Sequence, residues 1–573
     1  MYKKNIFIAL FCFSIAVTAQ VSKKEVTNHA TLFPKETTQL VTNTTVLLAG
    51  ESLLYKIDAL TAAKGTSNLS KVAYVTMKSE KDSVVFFHKL KLVDGMANGD
   101  FFIPATLKTG IYRLMGYTNF SRNNAENAFA EKEVCVINSF QANDVTPKTK
   151  KNLVTVKADS TGSEMNNTSN FKGISIAPSQ TNYGKRTSVS LTVKNTVNTS
   201  GYGTYSVSVR KVDGIQVTKA IKNTAVTATT NTNTFFIPEV RGEILSGRVV
   251  AINTTVPVKD VTLGLTIPGE HFIYKTATTN ASGHFFFSID EAYSSANCVL
   301  QIDAPNKEAY TIVLDSKEIE TGASNQAVIL DKSIAPWLQE RSIQLQIENA
   351  YFNANTLQIV PEAPSVPFYN SLGTEYVLDD YTRFKTVKET FIEVVTLAGV
   401  RSEDGVSKFV VFDAYDPDRM AQFSSLPPLV LMDGMLIQDA TEVLDYSPSN
   451  IKSIRVVSKA YRYGMKLYSG IIAITTTKGD FKPRLKGDFI TTFPMQSLEP
   501  TKQIKALDYT SNSLQRIPDY RNQLYWEPSL TIDSDSVSSS FYTSDVTGTF
   551  EVVLEGYSNE GTYVYTTNYF TVE

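Results

Sequence analysis

The chain has 573 residues, with 55 basic side chains against 57 acidic ones. One hydrophobic core does not fill that length, so several domains are expected. Near-balanced charge with no block of one sign argues against nucleic acid or an anionic membrane surface as partner. In chain order, Lys3 and Lys4 precede an apolar run over 6–17, and Val17-Thr18-Ala19 closes it. Charge, short apolar core and small-residue site predict a signal peptide over 1–19, cleaved after Ala19. A spanning helix needs about 20 apolar residues, more than this run supplies. Cys12 follows the bulky Phe11, a poor context for lipidation.

Residues 20–140 read as a β-sandwich. Short Val, Ile, Tyr and Phe runs at 46–48, 53–57, 72–77, 84–92 and 112–117 are separated by turn dipeptides such as Asp94-Gly95 and Asn98-Gly99, where Gly and Asn tolerate positive φ. Residues 141–170 are rich in Lys, Thr, Asn and Ser, which predicts a linker holding at most strand fragments. Residues 171–217 form a second β unit, with alternation over 188–193 and 204–209. A connector follows over 218–240, largely Thr, Asn and Ala from 218 to 234, too polar to offset ordering entropy. A third β unit covers 241–330, with a turn at 280–283. In the helix-and-linker stretch 331–385, Pro336 suits a first helical position. Ile343, Ile347 and Ala350 then give a helical apolar stripe, although Ile343, Leu345 and Ile347 also alternate as a strand would. Residues 386–480 are mixed α+β. Their clearest hairpin turns at Asp433-Gly434, and one or two helical turns are expected over 440–445. A C-terminal β-sandwich is expected over 481–573. The fold class is therefore mainly β: tandem β-sandwich domains plus one small α+β domain.

Three resemblances sharpen this. Leu48-Ala49-Gly50-Glu51-Ser52-Leu53, Gly99-Asp100-Phe101-Phe102-Ile103-Pro104 and Gly110-Ile111-Tyr112-Arg113 resemble the macroglobulin-type domains of Bacteroidota envelope proteins. Tyr183-Gly184-Lys185 with Tyr205-Ser206-Val207-Ser208-Val209 resembles a second such domain. Gly242-Glu243-Ile244-Leu245-Ser246-Gly247-Arg248-Val249-Val250 with Gly283-His284-Phe285 is similar to the carboxypeptidase regulatory-like domain, a transthyretin-like sandwich without peptidase chemistry. Pro428-Leu429-Val430-Leu431-Met432-Asp433-Gly434, Ile451-Lys452-Ser453-Ile454-Arg455-Val456 and Gly470-Ile471-Ile472-Ala473-Ile474 resemble the plug domain of TonB-dependent receptors. A receptor barrel needs many strands of about ten residues, more than the stretch after Gly479 can hold. The plug-like domain is therefore expected to act by contact rather than by gating a pore of its own.

Catalytic, cofactor and metal sites are not expected. His29, His88, His271 and His284 lack ligand spacing. There is no Gly-x-Ser-x-Gly elbow and no Gly-Cys-Gly-Glu-Gln run of the kind that builds a macroglobulin thioester. Cys135 and Cys298 sit in apolar strand contexts and read as small buried hydrophobes. Asp379-Asp380, the trio Asp413, Asp416 and Asp418, and the pair Asp533 and Asp535 read as solvated turns. After Asp416 and Asp418 a calcium loop would need an oxygen ligand and a glycine where Met420 and Ala421 stand. Interaction candidates are Tyr520, Tyr525 and Trp526, whose rings suit interfaces and sugars alike, and the Asp433-Gly434 turn. The expectation is an exported, non-enzymatic accessory or scaffolding subunit of an outer-membrane complex, serving nutrient uptake or protein export. It would be periplasmic or at the cell surface, held peripherally through a protein partner such as a barrel or receptor. The alternative is a carbohydrate- or peptide-binding envelope protein.

Overall fold

A computed structural model describes residues 35–124, 127–141, 153–159, 166–219, 235–253, 255–269, 272–319, 321–322, 326–351, 357–360, 366–412, 426–504, 507, 509 and 516–573. The expected signal peptide, His29, His271, the Asp413, Asp416 and Asp418 trio and residues 220–234 of the connector lie outside them. The fold is mainly β, built as β-sandwich modules.

Alternating apolar residues bury one face of each strand and wet the other, and this builds the first sandwich. Glu36–Thr42, Ser52–Thr61 and Met96–Phe102 form one sheet. Val46–Leu48, Ala130–Ile137, Gly110–Thr118, Val72–Lys78 and Val84–Lys91 form the facing sheet in that order. Leu53, Tyr55, Val75, Leu114 and Val136 fill the space between them.

The second β unit is not separate from the C-terminal one. Ser188–Asn195 lies between Ile174–Pro178 and Ser536–Tyr542, pairing Val193 with Val537 and Val189 with Phe541. Gly203–Lys211 lies between Gln523–Ile532 and Gly548–Ser558. The segments expected at 171–217 and 481–573 thus supply strands to one composite sandwich with one core, including Leu191, Val207, Phe541, Val552 and Phe570. Period-two alternation fixes which face of a strand is buried but not which strand lies beside it.

A third sandwich pairs the sheet His284–Ile289, Glu243–Ala251 and Tyr310–Leu314 with the sheet Ile273–Thr278, Thr262–Ile267, Ala296–Ile302 and Ile490–Met495. Its last strand again comes from far along the chain. Between its strands is inserted a mixed module, residues 368–481. That module has a five-stranded sheet ordered Thr374–Val377, Ile451–Val457, Ile471–Thr476, Leu429–Met432 and Met435–Leu436. Part of the expected 141–170 linker is also regular: Leu153–Ala158 joins Ile215–Lys219 and Ala327–Leu330 in a small sheet.

Helix α1, Ala335–Ala350, is continuous, with Pro336 in its first turn, so the strand alternative for its second half does not hold. Its buried residues are Arg341, Gln344 and Leu345, whereas Ile343 is 52% exposed. The expected Ile343–Ile347–Ala350 stripe is not the packed face, because Arg341 draws its side of the helix inward through ion pairs. Helix α2, Val387–Glu393, starts with a capping box in which Thr386 and Glu389 satisfy each other's backbone N–H. Helix α3, Thr441–Leu444, is a single turn. Among the described residues no helix is long and apolar enough to cross a membrane.

Candidate functional site

The Asp433-Gly434 turn has two successive positive φ values, 47° and 77°, as a tight hairpin between twisted strands requires. Asp433 is buried. Its carboxylate accepts from the Thr476 N–H at 2.8 Å, the Thr476 hydroxyl at 2.6 Å and the Phe481 N–H at 3.1 Å. The Gly434 carbonyl accepts from the Thr266 hydroxyl at 2.8 Å. A Cβ on Gly434 would stand 2.2 Å from Phe272. The turn is therefore turned inward, clamping the mixed module onto the third sandwich, and is not a free interaction tip.

The three aromatic candidates also part company. Trp526 is 3% exposed. Tyr525, its neighbour on the strand, points to the opposite face and stacks on Phe541 with centroids 5.4 Å apart. Tyr520 is half-buried and lines a cavity. They form no shared platform, because the same alternation that makes a strand separates adjacent rings.

The cysteines lie in separate cores, and burial pushes each thiol up to about 12. His88 is held by the Tyr55 hydroxyl at 2.6 Å, and burial lowers its pKa despite the nearby Glu499. Asp379 pairs with Arg383, while Asp533 and Asp535 lie on an exposed turn. Among the described residues no three His, Cys, Asp or Glu side chains converge as a metal site would require.

What the fold does assemble is a cavity of about 800 Å³ where the first sandwich, the composite sandwich and α1 meet. The 50–52 turn, Phe102, Arg210, the second half of α1, Ile359, Lys502 and residues 517–523 line it. The helix reaches this place because Gly50, at φ +100°, leaves only 3.0 Å between a notional Cβ and Leu345. Asn349 then donates to the Gly50 carbonyl at 3.2 Å.

Charges around the cavity are paired. Arg341 donates to Glu51 through Nε at 2.8 Å and through Nη2, and to Asp213 at 2.9 Å. Arg210 stands 3.6 Å from Glu51 and 3.9 Å from Asp213, with its Nε and Nη2 making no hydrogen bond. Burial and the like charge of Arg341 lower the pKa of Arg210. Burial works to raise Glu51, yet the two guanidiniums hold it below the usual carboxylate range. Arg521 grips Asp519 with two bonds of 2.8 Å, and Lys502 holds Asp100 at 2.5 Å.

Glu348 is different. Its carboxylate has no hydrogen-bond or ion-pair partner among the described residues. It lines the cavity and is solvent-exposed. Desolvation, then the negative charges of Glu51 and Asp519, push its pKa up to about 7. Phe102, Tyr351 and Ile359 on the same cavity are 50%, 45% and 64% exposed. The arrangement can bind a ligand with an apolar body and one positive group. Of its residues Gly50, Glu51, Ser52, Asp100 and Phe102 lay inside motifs visible in the sequence and Tyr520 among its aromatic candidates; Arg210, Glu348 and Lys502 did not, since they meet the rest through long-range contacts that leave no local signal.

No family model and no curated protein sequence matches the chain. Among solved structures, it is similar to Salmonella alpha-2-macroglobulin reacted with methylamine, at 9% identity and a TM-score of 0.24, over 94% of this chain and 39% of that one. The native E. coli alpha-2-macroglobulin gives 9% and 0.24 over 94% and 40%. Dimeric latent PorU from Porphyromonas gingivalis gives 10% and 0.16 over 52% and 34%. The chain spans about two fifths of the length of the macroglobulins it matches.

Proposed function

We propose that this protein is an exported, non-enzymatic scaffolding or accessory subunit of an outer-membrane complex, working through protein contacts and serving nutrient uptake or protein export. The observation that carries the reading is where large apolar side chains are left in water. Val366, Ile392, Val406 and Met465 are each more than half exposed, at 69%, 68%, 56% and 72%. All four belong to the mixed module or the chain just before it, the part whose sequence resembles a receptor plug. Single exposed apolar residues are ordinary, and comparably exposed ones such as Val93, Ile252 and Ile359 lie elsewhere, so these four support the reading as candidate anchors of a partner contact. With the Asp433-Gly434 turn occupied internally, these separate exposed side chains, on both faces of its sheet, are what the module can offer a partner.

The test is quantitative co-purification from detergent-solubilised outer membranes, comparing the wild type with Ile392→Glu/Met465→Glu. Enrichment of an outer-membrane protein, lost in the double variant while thermal stability is kept, is the expected result. A wild-type monomer with no membrane partner would sink the proposal. Sugar binding on an exposed aromatic platform is the weaker reading, since Trp526 is buried. Peptide binding draws support from the cavity.

A further inference from the structure

The cavity between the first sandwich, the composite sandwich and α1 has one feature the proposed scaffold does not use, the unpaired Glu348 carboxylate. We infer that this cavity holds a Lys or Arg side chain of an extended segment of a protein partner, with Glu348 as its counter-ion. The inference rests on the reading that the protein works through protein contacts and names the chemistry of one such contact.

Four observations carry it. Every other charge described around the cavity has an opposite partner at ion-pair distance, so Glu348 alone is complementary to an incoming charge, and that charge is positive. The volume of about 800 Å³ exceeds one side chain. The exposed Phe102, Tyr351 and Ile359 suit apolar neighbours of the basic residue and the face of its cation. Beside them, Leu357–Ile359 and Lys502–Ile504 form a two-stranded ribbon. Among the described residues neither strand has a second neighbour, so an extended backbone can pair with an open edge.

Ionisation of Glu348 gives the contact a pH dependence. From α1 itself Arg341 favours the carboxylate. From the 50–52 turn Glu51 opposes it, from the composite sandwich Arg210 favours it, and from 517–523 Asp519 opposes and Arg521 favours it. With a pKa of about 7, the group is charged on the alkaline side and neutral in mild acid, and the preference for a cation follows.

The experiment is fluorescence anisotropy with the full chain and blocked, labelled seven-residue probes whose central Lys, Arg, norleucine or Glu is flanked by Leu and Val. At about pH 8 the Lys and Arg probes should bind at least about tenfold more tightly than norleucine, and this advantage should vanish near pH 5.5. Glu348→Gln should erase the advantage and leave norleucine binding unchanged, with thermal melting showing that the variant folds. Equal binding of Lys and norleucine, an unaltered preference in Glu348→Gln, or no saturation by any probe at about 1 mM would each overturn the inference. So would displacement by n-butylamine at the probe's own concentration, which would make the occupant a free amine. The assay contains no membrane. Peptide binding without membrane co-purification would retain this inference and remove the outer-membrane reading, and the reverse result would do the opposite.

Discussion

At the scale of single residues, carboxylates set by their surroundings decide most of what can be tested. Asp433 satisfies two backbone N–H groups and a hydroxyl in the interior. Asp433→Ala should therefore cost about 2–3 kcal/mol in a denaturant titration, because those donors lose their partner without access to water. Glu239 is 0% exposed and joins modules. It accepts from the Tyr74 hydroxyl, the Ile244 N–H and Lys317, each at 2.8 Å. Burial raises its pKa despite Lys317, so the fold disfavours its ionised form and stability falls as pH rises through the raised value. Lys317→Met should cost about 3 kcal/mol on the alkaline side of the raised Glu239 value, where a buried charge loses its partner, and less on its acid side. Melting curves on either side check this. Trp526→Ala should cost about 3–5 kcal/mol as a core truncation. A stable Trp526→Ala protein that had lost only glycan binding would contradict its burial. The Asp-Gly turn was legible because its conformation is local. The inward role of its carboxylate was not, since Thr476 and Phe481 are strangers to it in sequence.

At the scale of elements, the composite sandwich makes the sharpest claim. Ser190 and Ser540 face each other across adjacent strands and both are exposed. Opposite Cβ atoms in an antiparallel pair lie about 4.5–5.5 Å apart, close to disulfide reach. Ser190→Cys/Ser540→Cys should close under mild oxidation into a monomer of altered gel mobility, and persistence of the two introduced thiols beside the native Cys135 and Cys298 would refute the pairing. Strand positions such as Ser188–Asn195 were readable from alternation, and α1 from Pro336. Strand neighbours were not, because pairing across a long loop leaves no periodic mark at either end. The polar inner face of α1 was missed for a related reason. Arg341 is buried by Glu51 and Asp213, both distant in sequence, so no local pattern marks it as an interior residue.

At the scale of the whole molecule, residues 35–573 form one compact unit. Remote segments share the cores of single sandwiches, and smaller cores cross module boundaries, joining Tyr274 to Leu431 and Ile111 to Val154, unlike tandem modules joined end to end. Calorimetry should give fewer, broader-based transitions than there are modules, and separate melting of each module would count against the shared cores. Raised carboxyls at Asp58, Glu239 and Glu348 lose stability as pH climbs from their unfolded values through their raised ones, about 7 for Glu348. Lowered ones at Glu51 and Asp545 lose it as the medium turns acid. A stability maximum in mild acid follows, and Glu348→Gln should flatten its alkaline side.

The shared sandwich also dictates an order of events. A chain delivered from its N-terminus exposes Val189, Leu191 and Val193 long before Val537 and Phe541 arrive to cover them. During that interval half of a sandwich has an apolar face and free edges, the condition under which newborn chains clump. Cells making this protein would need a factor that holds the early strands until the late ones arrive, and a truncation after the mixed module should be degraded rather than accumulate as a smaller stable form.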